Sequence, residues 1–259
     1  MKRIFLPLFI LSSFPAFAQM NCPTFTRYGG FDRWEISPLV STVDPYPFDE
    51  FVLSSAYLSA GDLRDHSLAA GVIVKFFLDE NIAVRLKLIF ANRSLQNLVS
   101  IIDTSSGNTH SDNEKVTQTL FKIAPGFQWT FFENHISFYG GFEAPFTLQN
   151  DLTQVGSGID LAPGDTAPTF HSFHRTVPGG YSAGIGIFGG STYYFTHFFG
   201  AGFELSAAYQ YTSIGGLITS SDASASGSST AIAISSYVET QERFGFTPVQ
   251  ALIFVTFRF

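Results

Sequence analysis

Cysteine is nearly missing: Cys22 is the single one in 259 residues. That excludes a disulfide framework and any multi-thiolate metal centre. Charge is scarce too. Charged residues make up 14% of the chain, with a formal net charge of −7, so a broad basic footprint for nucleic acid is not expected. Beyond the first 18 residues no stretch of about 18 apolar residues occurs, which excludes a transmembrane helix there. What the chain does have is phenylalanine. There are 30 Phe beside 10 Tyr and 2 Trp, and aromatics at 16% outweigh the charged residues. A disordered chain has the reverse balance. A soluble β protein and a membrane barrel remain.

The N-terminus reads as an export signal. Lys2 and Arg3 are a short positive start, Ile4 to Phe14 is apolar except for Pro7, Ser12 and Ser13, and Ala16-Phe17-Ala18 is an A-x-A cleavage pattern. A signal peptide over residues 1–18, too short for a stable membrane span, is the expectation. Gln19-Met20-Asn21 before Cys22 makes a poor lipobox, so lipidation is not expected. The mature chain then starts at Gln19, with residues 19–32 a periplasmic N-terminal segment and 33–259 the folded domain.

Period-two alternation runs through that domain. Leu68, Ala70, Val72, Val74, Phe76 and Leu78 share one face, and Ala69, Gly71, Ile73, Lys75 and Phe77 the other. After Asp79-Glu80-Asn81, a turn, Ile82, Val84, Leu86, Leu88 and Phe90 alternate with Ala83, Arg85, Lys87, Ile89 and Ala91. A second hairpin joins residues 119–131 to 136–146 through Glu133-Asn134-His135. A third joins 181–195 to 198–214 near Thr196-His197. Single strands at 34–40 and 249–259 complete eight. If they close, the last pairs with the first.

One face of every strand is large and apolar. The other is Gly, Ala, Ser and Gln with sparse charges of both signs: Glu35, Lys75, Arg85, Lys87, Lys122, Glu143, Glu204 and Arg258. A soluble sandwich would carry a richly charged, solvated second face. Small residues with ions of both signs suit a crowded, paired interior, in which a cluster of Lys75, Arg85, Lys87 and Lys122 against Glu143 and Glu204 plugs the lumen. In lipid a non-helical spanning chain must close so that every backbone group is paired. Aromatic girdles flank the apolar band of such barrels. Trp129, Phe131, Phe138, Phe195 and Phe199 lie near the short turns and read as the periplasmic-side girdle, and Phe90, Phe121, Phe146, Tyr209 and Tyr211 lie toward the other end. The remaining connections, roughly 44–66, 96–114, 150–180 and 215–247, read as long outer loops. Phe51–Tyr57 and Ala231–Tyr237 are candidate strand extensions within them. The expected fold is therefore all-β: a closed antiparallel up-and-down transmembrane β-barrel of eight strands, with ten as the alternative.

The signal peptide, the eight alternating segments, the asymmetry of the connections and the terminal Phe259 resemble the small outer-membrane barrels of the OmpA/OmpX-like superfamily. In that family a terminal aromatic with apolar residues at alternate positions before it is read by the barrel-assembly machinery. Phe259, Phe257, Val255 and Ile253 fit that pattern. The resemblance implies integral placement in a Gram-negative bacterial cell outer membrane, contact with lipid and lipopolysaccharide, and a structural or surface-interaction role in which loops meet an extracellular ligand. With the chain ending on its last strand, no peptidoglycan-binding periplasmic domain is expected. A porin-like channel and a lipid-A-modifying enzyme are the alternatives.

No motif argues for catalysis, a cofactor or a metal. Gly184-Ile185-Gly186-Ile187-Phe188-Gly189 matches G-x-G-x-x-G, but a strand pattern follows where the dinucleotide mechanism needs a helix. Glycines that relieve crowding inside a narrow barrel are the favoured reading. His171 and His174 with Asp160 and Asp165 read as a solvated loop rather than a zinc site. His110-Ser111-Asp112 and His171-Ser172 are the outer-side nucleophile candidates, also on loops. The acidic segments Asp44–Asp65 and Asn150–Asp165 would repel anionic surfaces or hold divalent cations bridging lipopolysaccharide.

Overall fold

A computed structural model describes residues 33–41, 62–65, 68–102, 109–133, 135–161, 168–226, 229–247 and 249–259. The leader (1–18), the segment 19–32, Phe51–Tyr57, most of Asp44–Asp65 and Asp165 lie outside the described residues. The elements are β1 (Trp34–Ser41), β2 (Asp62–Asp65), β3 (Leu68–Phe77), β4 (Ile82–Ile102), β5 (Thr109–Glu133), β6 (Ile136–Glu143), β7 (Phe146–Gln149), β8 (Leu152–Leu161), β9 (Thr169–Val177), β10 (Gly180–Tyr194), β11 (Phe199–Ser226), β12 (Ser229–Phe246) and β13 (Gln250–Arg258). The described chain is all-β and every pairing is antiparallel.

The pairings close. β1 pairs β3, β3 pairs β4, β4 pairs β5, β5 pairs β6, β6 pairs β10, β10 pairs β11, β11 pairs β13, and β13 returns to β1. That is a ring of eight, each strand beside its neighbours in chain order. The other segments continue these eight upward: β2 precedes β3, β7 and β8 follow β6, β9 precedes β10, and β12 precedes β13. Eight, not ten, is the count around the ring. At the closing seam Glu35 faces Arg258 and Leu39 faces Phe254 in register. Trp34 and Phe259 exchange backbone hydrogen bonds of 3.1 and 2.9 Å. Inside the seam the Ser37 hydroxyl donates to Thr256 Oγ1 at 2.8 Å.

The ring has a lower end of short connections. At 78–81 the Asp79 carboxylate accepts from the backbone N–H of Asn81 and Ile82, both at 2.8 Å. At 195–198 Thr196 Oγ1 accepts from the Phe199 N–H at 3.1 Å. Such side-chain to backbone bonds satisfy the groups a tight turn leaves unpaired.

The upper end corrects the expectation of long loops. β4 runs to Ile102 and β5 begins at Thr109; β8 and β9 occupy much of 150–180; β11 runs to Ser226 and β12 fills most of 215–247, Ala231–Tyr237 included. These stretches pair residue by residue, β4 with β5 from Asn92↔Thr119 to Ile102↔Thr109, and β11 with β12 from Tyr209↔Phe246 to Ser226↔Ser229. The reason is physical. Above the apolar band, polar and apolar residues mix on both faces: Val116, Leu152, Val177, Ile214 and Ile218 are buried, while Val155, Ile159, Leu217 and Ile232 are exposed among serines and threonines, so the contrast between the faces fades while the backbone ladder continues. His110, Ser111 and Asp112 accordingly lie on β5, and His171, Ser172 and His174 on β9, not on loops.

Candidate functional site

The alternation sorts side chains as the pleat demands. On β1, Glu35, Ser37 and Leu39 are buried while Trp34, Ile36, Pro38 and Val40 are exposed. The lumen of the ring holds the charges in two groups. In the lower one the Lys75 ammonium donates to Glu35 at 2.6 Å, Arg258 lies 3.2 Å from the other oxygen of Glu35, and the Tyr194 hydroxyl donates to that oxygen at 2.8 Å. Arg258 also donates to the Tyr194 hydroxyl. In the upper group Arg85 grips Glu204 with two nitrogens, each at 2.7 Å, and reaches Glu143 at 3.4 Å. Lys87 lies 2.8 Å from Glu143 and 3.3 Å from Glu204. Glu35, Lys87 and Glu204 have no exposed surface, and Arg85 has 1%.

Seven charges in a space closed to water need compensation. Two cations meet two carboxylates in the upper group. In the lower one, among the described residues, two cations meet Glu35, and ring faces add to the compensation. Arg258 stacks 4.3 Å from the centre of Tyr194, and Lys75 lies 4.7 Å from that of Tyr139. Arg85 lies 3.7 Å from the centre of Phe188. Lys122 is the exception among the charges assigned to the cluster. It is only partly buried, and its ammonium donates to Gln250 Oε1 at 2.7 Å.

The interior is also less small than the sequence reading held. Phe77, Tyr139, Phe188, Tyr194 and Phe254 are all buried in it. Glycines on neighbouring strands admit these rings. A Cβ on Gly202 would stand 2.6 Å from Phe254, and one on Gly190 would stand 2.6 Å from the Tyr139 hydroxyl. In the G-x-G-x-x-G segment of β10, Gly184 and Gly186 face inward while Gly189 faces out. Gly202→Val is expected to lower the unfolding free energy of the folded protein by about 1–3 kcal/mol through overpacking. Gly189→Ala, where a Cβ has its nearest neighbour at 3.6 Å, should change it by less than about 0.5 kcal/mol. Urea unfolding followed by tryptophan fluorescence measures both.

Outside, aromatic rings form two belts. The lower one passes from Tyr193 to Phe195 (5.2 Å between ring centres), Phe195 to Phe199 (5.6 Å) and Phe199 to Phe257 (5.4 Å). Trp34 meets Phe76 at 4.9 Å, and Trp129 meets Phe127 at 4.9 Å and Phe142 at 5.9 Å. Phe131 and Phe138, paired in register, are exposed beside them. The upper belt runs Phe146–Tyr181 (6.3 Å), Tyr181–Tyr211 (6.1 Å) and Tyr211–Phe244 (4.8 Å), with Phe90 and Phe121 paired further round. Phe244 and Phe246 were missed in the sequence, because they sit in a stretch read as loop. Ile253, Val255 and Phe257 occupy the outer face of β13, and Phe259, the residue after it, is exposed. Phe199 and Tyr209 on β11 stand ten residues apart, which at about 3.3 Å per residue and a tilt near 40° spans roughly 25 Å.

Above the belts, Asp160 and His171 approach to 3.4 Å, both partly exposed. Among the described residues no group of three metal-ligating side chains occurs.

No protein-family model matches the chain, and no curated protein matches it. Among solved structures it is similar to a major outer membrane protein from Thermus thermophilus, with 12% identity, 87% of this chain and 99% of that one covered, and a TM-score of 0.34. A bacterial polysaccharide outer membrane secretin follows at 9% identity, 89% and 100% coverage and a TM-score of 0.19. A loop-deletion mutant of OmpT, an outer membrane protein of Vibrio cholerae, has 9% identity, 88% and 98% coverage and a TM-score of 0.11. These neighbours are outer-membrane proteins, but with TM-scores this low they carry no argument for this chain, whose ring stands on its own pairings.

Proposed function

We propose that this chain is an integral outer-membrane β-barrel of a Gram-negative bacterium, non-enzymatic, with a structural or surface-interaction role and a lumen closed by its own side chains. The single observation that carries the reading is the pairing of opposites across one wall: a buried, ion-paired interior backed by two outward aromatic belts about one bilayer apart. A soluble protein would place its charges outside and its aromatics within. Membrane lipid and lipopolysaccharide are then the surroundings of the outer face. The barrel-assembly machinery is the partner in biogenesis, reading Ile253, Val255, Phe257 and Phe259. The tall upper wall is the surface offered to an extracellular ligand.

Planar-bilayer recording tests the closed lumen. Arg85, Lys87, Glu143 and Glu204 fill the section where a solute would pass, so no stable conductance steps are expected. Large, stable steps would favour the porin-like alternative. Heat-modifiable migration on a gel tests the barrel in detergent, and lipid A of unchanged mass on expression is expected if no lipid-modifying activity is present.

A further inference from the structure

The wall above the upper aromatic belt has two unlike sides. On β4 and β5 the outward positions are polar: Asn92 pairs Thr119, Ser94 pairs Thr117, Gln96 pairs Lys115, and the Gln96 amide donates to Asn113 Oδ1 at 3.1 Å. From β8 onward the character changes. Ile159, Phe170, Leu217, Ile232, Ile234 and Val238 all project outward and are 43–80% exposed, with serine, threonine and alanine between them. Among the described residues, the outward positions of β8, β9 and the facing stretches of β11 and β12 (217–225 and 230–238) carry no lysine, arginine, aspartate or glutamate. An exposed apolar patch with charge kept out of its centre is the mark of an interface.

Lipid does not account for this face. A bilayer wets a barrel all round at a given height, and the face occupies one side only. It is also shaped. A hollow of about 460 Å³ lies on it, lined mainly from outward positions: Ser157, Ser172, Ala223 and Ala225 are its small side chains, and Ile159 and Phe170 its large ones. Ser157, Ser172, Ala223 and Ile232 form one row in register across β8, β9, β11 and β12. The hollow therefore ends at β12, where Ile232, Ile234 and Val238 stand up as a ridge of branched side chains. A floor of small residues and a ridge of bulky ones are neighbours on one face.

We propose that this face joins two copies of the chain, with the ridge of each seated in the hollow of the other. A two-fold axis along the membrane normal, passing between ridge and hollow, makes both contacts at once. The proposal rests on the membrane reading above. A partner must show an apolar face at the same level over the same bilayer, and a second copy held upright in it does so by construction. Four strands about 4.8 Å apart and nine residues at about 3.3 Å each make a face of roughly 20 by 30 Å. With the relief of its side chains, that is on the order of the 800 Å² of accessible surface each partner gives to a standard interface.

The test is made in lipid vesicles, with Cys22→Ser throughout. Chains with Ile232→Cys are mixed with chains carrying Ser172→Cys and treated with a short bismaleimide. Covalent dimer is expected from this mixture, and none from Ile232→Cys mixed with Thr117→Cys on the polar side. Energy transfer between labelled chains over a dilution series in lipid reads the affinity. Ile232→Asp on the ridge and Ala223→Trp in the hollow should each weaken pairing about tenfold or more, while Thr117→Asp leaves it unchanged. All three project from the wall, so heat-modifiable migration and the unfolding of single chains should hold, which separates lost pairing from lost folding. A parent monomeric at every protein-to-lipid ratio, pairing indifferent to the ridge and hollow variants, or equal cross-linking on both sides overturns the proposal. So does an Ile232→Cys thiol that its own chain shields from maleimide in the monomer, or one that links in whole cells to a different protein and not to its own kind. A heat-modifiable, detergent-dependent barrel that stays monomeric defeats this proposal alone. A chain that folds and pairs through these residues in plain buffer defeats only the membrane reading.

Discussion

Arg85→Ala should cost the folded protein about 3–5 kcal/mol, the loss typical when one partner leaves a buried ion pair. The residue meets both carboxylates of its group, one through two nitrogens at 2.7 Å, and lies over the Phe188 ring. Removing it leaves Glu204 and Glu143 with Lys87 as their shared cation, in a space where both carboxylates have almost no exposed surface. The penalty is chiefly that uncompensated charge. The pair Arg85→Met with Glu204→Met removes a cation and an anion together and leaves Lys87 on Glu143 at 2.8 Å. It should therefore be more stable than Arg85→Ala, with a coupling between the two sites of at least about 1 kcal/mol. Denaturant unfolding of the parent, Arg85→Met, Glu204→Met and the double variant in lipid vesicles measures this cycle. Equal stability of Arg85→Ala and the parent would show that the ion cluster does not hold the lumen. If Arg85→Ala fails to fold at all, Arg85→Lys keeps the charge but not the fork, and should lose an intermediate amount.

How much of this was legible depends on what a period of two can carry. Inward and outward faces were readable wherever one of them is apolar, so Glu35, Lys75, Arg85, Lys87, Glu143 and Glu204 could be placed on the inner face from spacing alone. Their pairing could not be read, because it depends on distances across the lumen between strands as far apart in sequence as Arg85 and Glu204. Lys122 illustrates the limit: it has the right parity, yet it is only partly buried and its ammonium donates to Gln250. The interior rings were discounted for a related reason. Phe77, Tyr139 and Phe254 each follow or precede outward apolar residues, and alternation gives a side chain's direction but not the room opposite it. For Tyr139 and Phe254 that room comes from Gly190 and Gly202, one strand away. The upper wall left the weakest trace. In β11 and β12 above Tyr211, serine, threonine and alanine fall on both faces, and nothing in such a run separates a solvated strand from a loop. Asn150-Asp151 and Pro178-Gly179 are turn-like residues that mark a bulged wall, not its end.

The strongest test of which medium wets the outer face uses one charge at two heights. Leu205 lies on β11 midway between Phe199 and Tyr211, outward and about half exposed, beside Ala251 and Gly189 in register. Ile234 lies outward on β12, opposite Ser221 and well above Tyr211, and is more exposed still. If water bathed both, arginine at either site would change little, as at most exposed positions. If the belts bracket acyl chains, Leu205→Arg should cost about 2–4 kcal/mol in vesicles, the penalty for a cation at the bilayer midplane, while Ile234→Arg should cost about 0–1 kcal/mol. The contrast does not depend on packing, since both side chains project away from the wall and neither contributes to the lumen. It also has an internal scale. Moving the arginine down β11 from Leu205 to Phe203 and Ala201 approaches the lower aromatic belt, and the penalty should fall stepwise with it. A profile that is flat from Ala201 to Leu205 and equal to that of Ile234 would place the apolar band in water and remove the membrane from the account. A maximum at Leu205 would fix the midplane and, with it, the heights of the two aromatic belts about it.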